Sequence, residues 1–352
     1  MDEKIYPAGG SVALEEDRKM KVAILGLGLI GRERLKALCG LREEENLVSE
    51  IGVCDPFAKE AQTEIADAGA NWIDSIENLP DFEPELVIVA TPHDTAVGLV
   101  ESLLPTGTRV LMEKPFGRTL AEAERLASLM QYEDQITLGF NYRFFPGVSA
   151  LLRDASSGLF GQLVSMNMVL AHGGSPGMEK GWKFDPVKAG GGCLIDPGIH
   201  LLDLCHVLSG SGVQAHSGQQ WRGFWNKGIE EEVHIHLQGA EDLIINLQVS
   251  IVRWRSKFQI EINGVEGYGV VEGRGRSYGL QRYRRGKRWG WRDAKNQEAS
   301  EEEVCISDCQ ESFRDELRAL MVPQKNKSLI HPCSTAEALN AMRTYEECLK
   351  ML

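Results

Sequence analysis

In AGGGCLIDPGIH, residues 189–200, a carboxylate and an imidazole stand four positions apart behind three consecutive glycines, Gly190, Gly191 and Gly192. Asp196 and His200 are residue types suited to moving a proton, because an imidazole titrates near neutral pH and a nearby charge shifts that value. The same letters also read as a helix start. Asp196 would be the N-cap and Pro197 the first helical residue, with the helix running through IHLLDLCHVL to Ser209-Gly210. His200 would lie one turn in, with Asp203 and Leu204 on its side. Three glycines are costly to order. A ligand or cofactor that must approach the backbone there would account for them.

A second constellation lies in KVAILGLGLIGRERLKALCG, residues 21–40. Val22 to Leu25 reads as a buried strand, Arg32 to Cys39 as a helix that Gly40 ends, and between them Gly26, Gly28 and Gly31 have GxGxxG spacing. The first glycine permits a tight turn, the second lets a pyrophosphate approach the backbone, and the third brings helix and strand close. With Leu29 and Ile30 they form a cradle at a helix N-terminus, whose free N–H groups attract phosphate. A further strand, Glu50 to Cys54, ends in Asp55. A carboxylate at that strand end accepts hydrogen bonds from an adenosine ribose and repels a 2′-phosphate. Pro56 and Phe57 follow rather than arginines, which favours NAD, while Lys59 leaves NADP open. The plainer reading of Asp55 is a turn residue before Pro56.

These residues need a scaffold. Phe57 to Ala68, Thr95 to Leu104 and Glu122 to Met130 read as helices, and Glu85 to Thr91, Arg109 to Met112 and Ile136 to Phe140 as strands. Such alternation predicts a parallel, doubly wound sheet, with its ligand across the carboxyl ends of the strands. Three strand ends are thereby singled out: Thr91-Pro92-His93, Glu113-Lys114-Pro115 and Asn141-Tyr142-Arg143. From about Phe144 the pattern changes. Gly161 to Leu170, Val213 to Trp221, Val233 to Gln238, Leu243 to Trp254, Lys257 to Asn263 and Tyr268 to Glu272 read as strands, with apolar residues at every second position in the fourth. The expected fold class is α/β: a lead-in over 1–19, a Rossmann dinucleotide-binding domain over 20–143, and over 144–352 an α+β substrate-binding and oligomerisation domain with a large, mainly antiparallel open sheet.

GxGxxG, then Glu113-Lys114-Pro115, then GGGxLxDxGxH ending in His200, together resemble the Gfo/Idh/MocA family, the relatives of glucose–fructose oxidoreductase and inositol dehydrogenase. The resemblance runs from about Lys21 to the end. It implies an NAD(H)-dependent dehydrogenase or reductase acting on a CH–OH group of a sugar, cyclitol or derivative, and a homodimer or homotetramer. It also implies that Lys114 touches the nicotinamide ribose and the substrate. Asp196 would bind substrate and help orient the histidine, and His200 would be the general acid or base. Thr91, Pro92, Glu113 and Asn141 are implied near the cofactor, and Arg143 and Trp182 along the substrate pocket, with Trp182 equally readable as core. Many relatives carry a histidine where this chain has Ala96, so that contact is missing or supplied by His93. An NAD-dependent glycosidase that oxidises its substrate transiently is the enzymatic alternative, and a dinucleotide-binding redox sensor without turnover is the non-enzymatic one.

The chain has 352 residues, enough for two substantial cores, and a formal net charge of −13, which argues against nucleic-acid and anionic-membrane partners. It has no run of about 18 apolar residues. The start, MDEKIYPAGG, lacks a basic segment and an apolar one, so a cytoplasmic location is expected. Eight cysteines form no CxxC pair, and Cys305 and Cys309, although at helical spacing, have no histidine partner. His234 and His236 would share one strand face, but no third ligand is evident and no metal is expected. Residues 274–292, RGRSYGLQRYRRGKRWGWR, are a basic and aromatic island. They read as an exposed hairpin or loop, or more sharply as an anion site for a nucleotide-linked sugar. Ser334 and Glu337 have capping-box spacing before a C-terminal amphipathic helix.

Overall fold

The computed structural model describes residues 19–210, 212–290, 301–322 and 330–352. The lead-in, apart from Lys19, and the last residues of the basic island, Trp291 and Arg292, lie outside the described residues.

The first sheet is built from β1 (Met20–Leu25), β2 (Val48–Cys54), β3 (Asn71–Trp72), β4 (Leu86–Val89), β5 (Arg109–Glu113), β6 (Ile136–Gly139) and β15 (Cys333–Ser334). Their order is β15-β6-β5-β4-β1-β2-β3, and every pair but the last-formed edge, β15 on β6, is parallel. Parallel strands covered by helices on both faces carry unbroken apolar runs. Leu86, Val87, Ile88 and Val89 in β4 are accordingly all fully buried. The helices α1 (Leu29–Glu43), α4 (His93–Leu103) and α5 (Leu120–Ala127) supply the crossovers; between the first two lie the short α2 (Gln62–Asp67) and α3 (Leu79–Phe82).

The second sheet comprises β7 (Leu163–Ala171), β8 (Gln214–Trp221), β9 (Glu232–Gln238), β10 (Ile244–Ser250), β11 (Lys257–Gly264), β12 (Gly267–Glu272), β13 (Gln281–Lys287) and β14 (Glu302–Ser307). The order is β14-β13-β12-β11-β7-β10-β9-β8, antiparallel throughout except for β10 on β7. One face is apolar, with Met166, Met168, Leu247, Val249 and Ile260 buried against α6 (Pro146–Ser156), α8 (Ile199–Ser209) and the C-terminal helix Thr335–Met351; the short α7 (Pro186–Ala189) lies between the first two in sequence. The other face carries His234, His236, Asn246 and Gln248, which bond one another or Glu232. Among the described residues no cluster of three His, Cys, Asp or Glu could hold a metal.

Three expectations meet the structure here. Of the two plain readings of the basic island, hairpin or loop, the hairpin holds: residues 281–287 are β13, antiparallel to β12, and its arginines face glutamates of β14, as in Arg282–Glu303 at 2.8 Å and Arg285–Glu302 at 2.9 Å. Cross-strand charge pairs replaced the apolar alternation that marks a strand. Cys305 lies in β14, not on a helix, and every cysteine is a free thiol. The boundary at 143/144 is also crossed again. The helix Ser312–Met321 puts Leu317 and Leu320 into the core of α1 and β1, and β15 extends the first sheet. Ser334 and Glu337 do form the reciprocal capping box. Among the described residues, no helix is long and apolar enough to cross a membrane.

Candidate active site

A cavity of about 540 Å³ lies where the carboxyl ends of β5 and β6 meet the second domain; Lys114, Asn141, Tyr142, Asp196, His200 and Arg274 line it, and Leu29 and Ile30 at the start of α1 close one side. The glycine turn beneath has two kinds of glycine. A Cβ on Gly26 would lie 2.7 Å from the Ala90 carbonyl oxygen, and one on Gly31 2.0 Å from that of Gly26. Both are demanded by the chain's own packing. A Cβ on Gly28 would meet nothing within 4 Å. Open space over the middle glycine, at the N-cap of a 15-residue helix, is what a pyrophosphate needs.

Asp55 stands at the end of β2, as expected for a ribose ligand. Its Oδ2 accepts the Leu27 N–H at 2.7 Å and its Oδ1 the Phe57 N–H at 2.9 Å, so the carboxylate is fixed beside the turn with lone pairs to spare. Thr91 adds a buried hydroxyl without a hydrogen-bond partner among the described residues. The residues present therefore fit a dinucleotide.

Opposite this turn, Asp196 is clasped by two lysines, Lys114 in a direct ion pair and Lys183 at 2.6 Å. Burial alone would raise the Asp196 carboxyl, but the two ammonium groups outweigh it and hold it well below the usual carboxylate range. Burial likewise lowers the Lys114 ammonium, with Asp196 opposing. His200 is buried on α8, and burial, then the Lys114 charge, hold its imidazole well below the ordinary value. A neutral imidazole beside a fixed cation can accept a proton. Its ring lies flat on Tyr142 at 3.8 Å and edge-on to Phe140 at 5.7 Å, and its Nδ1 has no hydrogen-bond partner among the described residues. Aromatic packing holds the ring, and Asp196 acts on it through charge.

The stretch that contains Asp196 departs from expectation twice. Asp196 is no N-cap, since α8 begins at Ile199 behind Gly198 and the carboxylate is spent on the lysines. The glycine run needs no ligand. A Cβ on Gly192 would lie 2.2 Å from the Glu230 carbonyl oxygen, one on Gly191 2.4 Å from the Tyr345 hydroxyl, and one on Gly190 2.5 Å from the Arg118 carbonyl oxygen. The chain's own backbone and a buried tyrosine press on the run.

Other expected residues sit nearby with duties of their own. His93 opens α4, its Nδ1 2.8 Å from the Ala189 carbonyl, and burial pulls it down to about 4, so it is neutral. Pro92 is the N-cap residue of α4, and Trp182 packs edge-on against His93 at 4.6 Å. Neither ring lines the cavity, so Trp182, expected along the substrate pocket, packs beside it instead. Asn141 donates to the Ser312 hydroxyl at 3.0 Å. Arg143 is a correction: it is fully buried, its guanidinium spans both oxygens of Asp203 at 2.8 and 2.5 Å, and it does not line the cavity.

Glu113 pairs with Arg34 of α1 at 2.6 Å, and the same guanidinium holds Glu316 at 2.6 Å. This buried triad ties the helix Ser312–Met321 to the strand end that carries Lys114. Burial pushes the Glu316 carboxyl up to about 7 against the pull of Arg34. Since the folded value exceeds the unfolded one near 4.5, the native state binds the extra proton between those values, and stability falls as pH rises from 4.5 to 7. Glu316→Gln, which copies the neutral form, should flatten that fall, read as the melting temperature at pH 5 and pH 8. Equal slopes for the variant and the parent would reject this account.

Lys183, Tyr142, His172 and Arg274 were missed as site residues, though all line the cavity. Tyr142 stands between Asn141 and Arg143, and Arg274 opens the basic island. Lys183 follows Trp182 with no motif of its own.

Residues 20–141 match a family model described as an oxidoreductase family with an NAD-binding Rossmann fold, and residues 150–269 match the GFO/IDH/MocA C-terminal domain. The chain is similar to the rhizopine catabolism protein MocA of Rhizobium meliloti, with 28% identity over 54% of this chain and 58% of that protein. It is 27% identical to an inositol 2-dehydrogenase of Rhizobium meliloti over 54% of this chain and 55% of the relative. The chain thus spans little more than half the length of these curated relatives. A levoglucosan dehydrogenase structure, in complex with NADH and levoglucosan, shares the fold with a TM-score of 0.79 at 16% identity, covering 95% of this chain and 97% of that one.

Proposed function

The chain belongs to the GFO/IDH/MocA oxidoreductase family, with its NAD-binding Rossmann fold, and from that premise we propose that it transfers hydride between a secondary hydroxyl of a sugar, cyclitol or derivative and NAD. The observation that carries this reading is a neutral, buried His200 in one cavity with a lysine-clasped Asp196, bounded on its other side by Leu29 and Ile30, which follow directly on the glycine turn.

Bound NAD supplies the hydride acceptor. Gly28 and the N-terminus of α1 would hold its pyrophosphate, and Asp55 its adenosine ribose, with the carboxylate disfavouring a 2′-phosphate. His200 takes the hydroxyl proton as the carbon–hydrogen bond breaks. Lys114 donates a hydrogen bond to the same oxygen and offsets the charge that develops on it. Asp196 accepts a neighbouring hydroxyl of the substrate and keeps both lysines in the cavity. The packed wall of Tyr142, Phe140 and Phe145 restricts water around the imidazole.

The test is NADH formation from NAD, followed by absorbance, across free sugars, cyclitols and glycosides. One class should be oxidised. A silent panel with release of free sugar from a glycoside would replace this reading with the transient-oxidation glycosidase. A silent panel with NADH bound and no sugar released would favour a sensor.

A further inference from the structure

The basic island contains six arginines between positions 274 and 288. Five are paired with carboxylates: Arg276 with Glu33, Arg282 with Glu303, Arg284 with Glu272 and Glu301, Arg285 with Asp154 and Glu302, and Arg288 with Glu266. Arg274 is different. Among the described residues no carboxylate pairs with it, and its buried Nε has no hydrogen-bond partner, yet it lines the catalytic cavity.

Its position is fixed on both sides. A Cβ on Gly273 would lie 2.2 Å from the Leu280 carbonyl oxygen, and one on Gly275 2.1 Å from that of Asp308, so the turn is pressed into place. The guanidinium carbon lies 4.2 Å from the Tyr278 ring centroid and 5.2 Å from that of Tyr142, whose ring is also the one stacked on His200. Arg274 and His200 are therefore joined through a single tyrosine, within the span of one sugar ring and its substituents.

Two ring faces and a hydrogen bond to the Tyr278 side chain compensate a largely enclosed cation only in part. The groups around His200 also leave a surplus of positive charge: Lys114, Lys183 and Arg274 face Asp196 alone, because Glu33 is taken by Arg276 and Asp308 is exposed at the rim. A planar guanidinium with free donors is matched by a carboxylate or a phosphate. We propose that Arg274 is an anion-binding subsite and that the substrate is a sugar or cyclitol bearing a carboxylate or phosphate on its own skeleton. This rests on the oxidoreductase reading of the cavity.

The experiment measures binding to the NADH-saturated protein by calorimetry, using glucose, glucuronate and glucose 6-phosphate as matched probes. At least one anionic probe should bind roughly 10- to 100-fold tighter than glucose, the range a hydrogen bond to a charged group supplies. Glucuronate or glucose 6-phosphate leading identifies the anion. Arg274→Gln should bring that probe to the affinity of glucose with NADH affinity retained, and Arg274→Lys should recover part of the preference. Parity of all probes on the parent protein, or a preference that survives Arg274→Gln, overturns the subsite. So does a loss of NADH affinity in Arg274→Gln with the anionic preference intact, which would assign the guanidinium to the cofactor. An anionic preference carried by Arg274, with the NAD panel extended to these probes and silent throughout, would instead sink the redox reading and leave the subsite standing.

Discussion

His200→Ala lowers kcat on the order of 10²- to 10⁴-fold, the span general acid–base catalysis contributes, and leaves NADH binding in place. The imidazole has no other duty that could mask the loss. Its buried Nδ1 has no hydrogen-bond partner among the described residues, and the ring is held by stacking on Tyr142. Its neutrality comes from burial first and from the Lys114 charge second. The wild-type acid limb of kcat/KM should therefore lie well below the ordinary histidine value of 6.5. Lys114→Ala removes a cation that lowers the histidine and leaves Asp196, which raises it. The sign is upward: the acid limb of that variant moves to higher pH, together with a fall in kcat from the lost hydrogen bond to the reacting oxygen. A His200→Ala enzyme within threefold of wild-type kcat, or an acid limb that Lys114→Ala leaves unmoved, would remove His200 from the proton path.

The dinucleotide turn was legible because its chemistry is local. Strand, three glycines and helix are contiguous, and the turn geometry requires Gly26 and Gly31 whatever else the fold does. The same holds for the capping box at Ser334 and Glu337. Reading failed where one side chain has two possible partners far apart in sequence. Asp196 before Pro197 has the local form of an N-cap, but Lys114 is 82 positions away and decides otherwise. The glycine run looked like a ligand site, yet Glu230, Tyr345 and Arg118 fill the space, and nothing near residue 190 announces them. Strand β13 was hidden because its exposed and half-buried positions carry arginines that face glutamates of β14, and Tyr283 is the one apolar residue it buries. Arg274 is visible only by subtraction, once the structure shows which arginines of the island already have partners.

Arg143→Met should destabilise the protein by about 3–5 kcal/mol, the usual effect of removing one member of a buried ion pair. At a strand end beside Asn141 the arginine reads as a substrate ligand, and a ligand's loss would raise KM and spare stability. Its surroundings say the reverse. The guanidinium is fully buried, bidentate to Asp203 of α8 at 2.8 and 2.5 Å, and reaches Glu337 of the C-terminal helix at 3.2 Å. It thus joins three segments distant in sequence, one after each of β6, Pro197 and β15. Methionine fills a similar volume but leaves the Asp203 carboxylate buried with no counter-charge, and that uncompensated charge is the main cost. Lysine would not restore stability, because a point charge cannot span both carboxylate oxygens. Arg143→Met combined with Asp203→Leu removes both charges and should recover much of the loss, as apolar replacement of buried pairs often does. Denaturant melts of the three proteins decide it. If Arg143→Met melts with the parent and shows a raised KM instead, the arginine faces substrate after all.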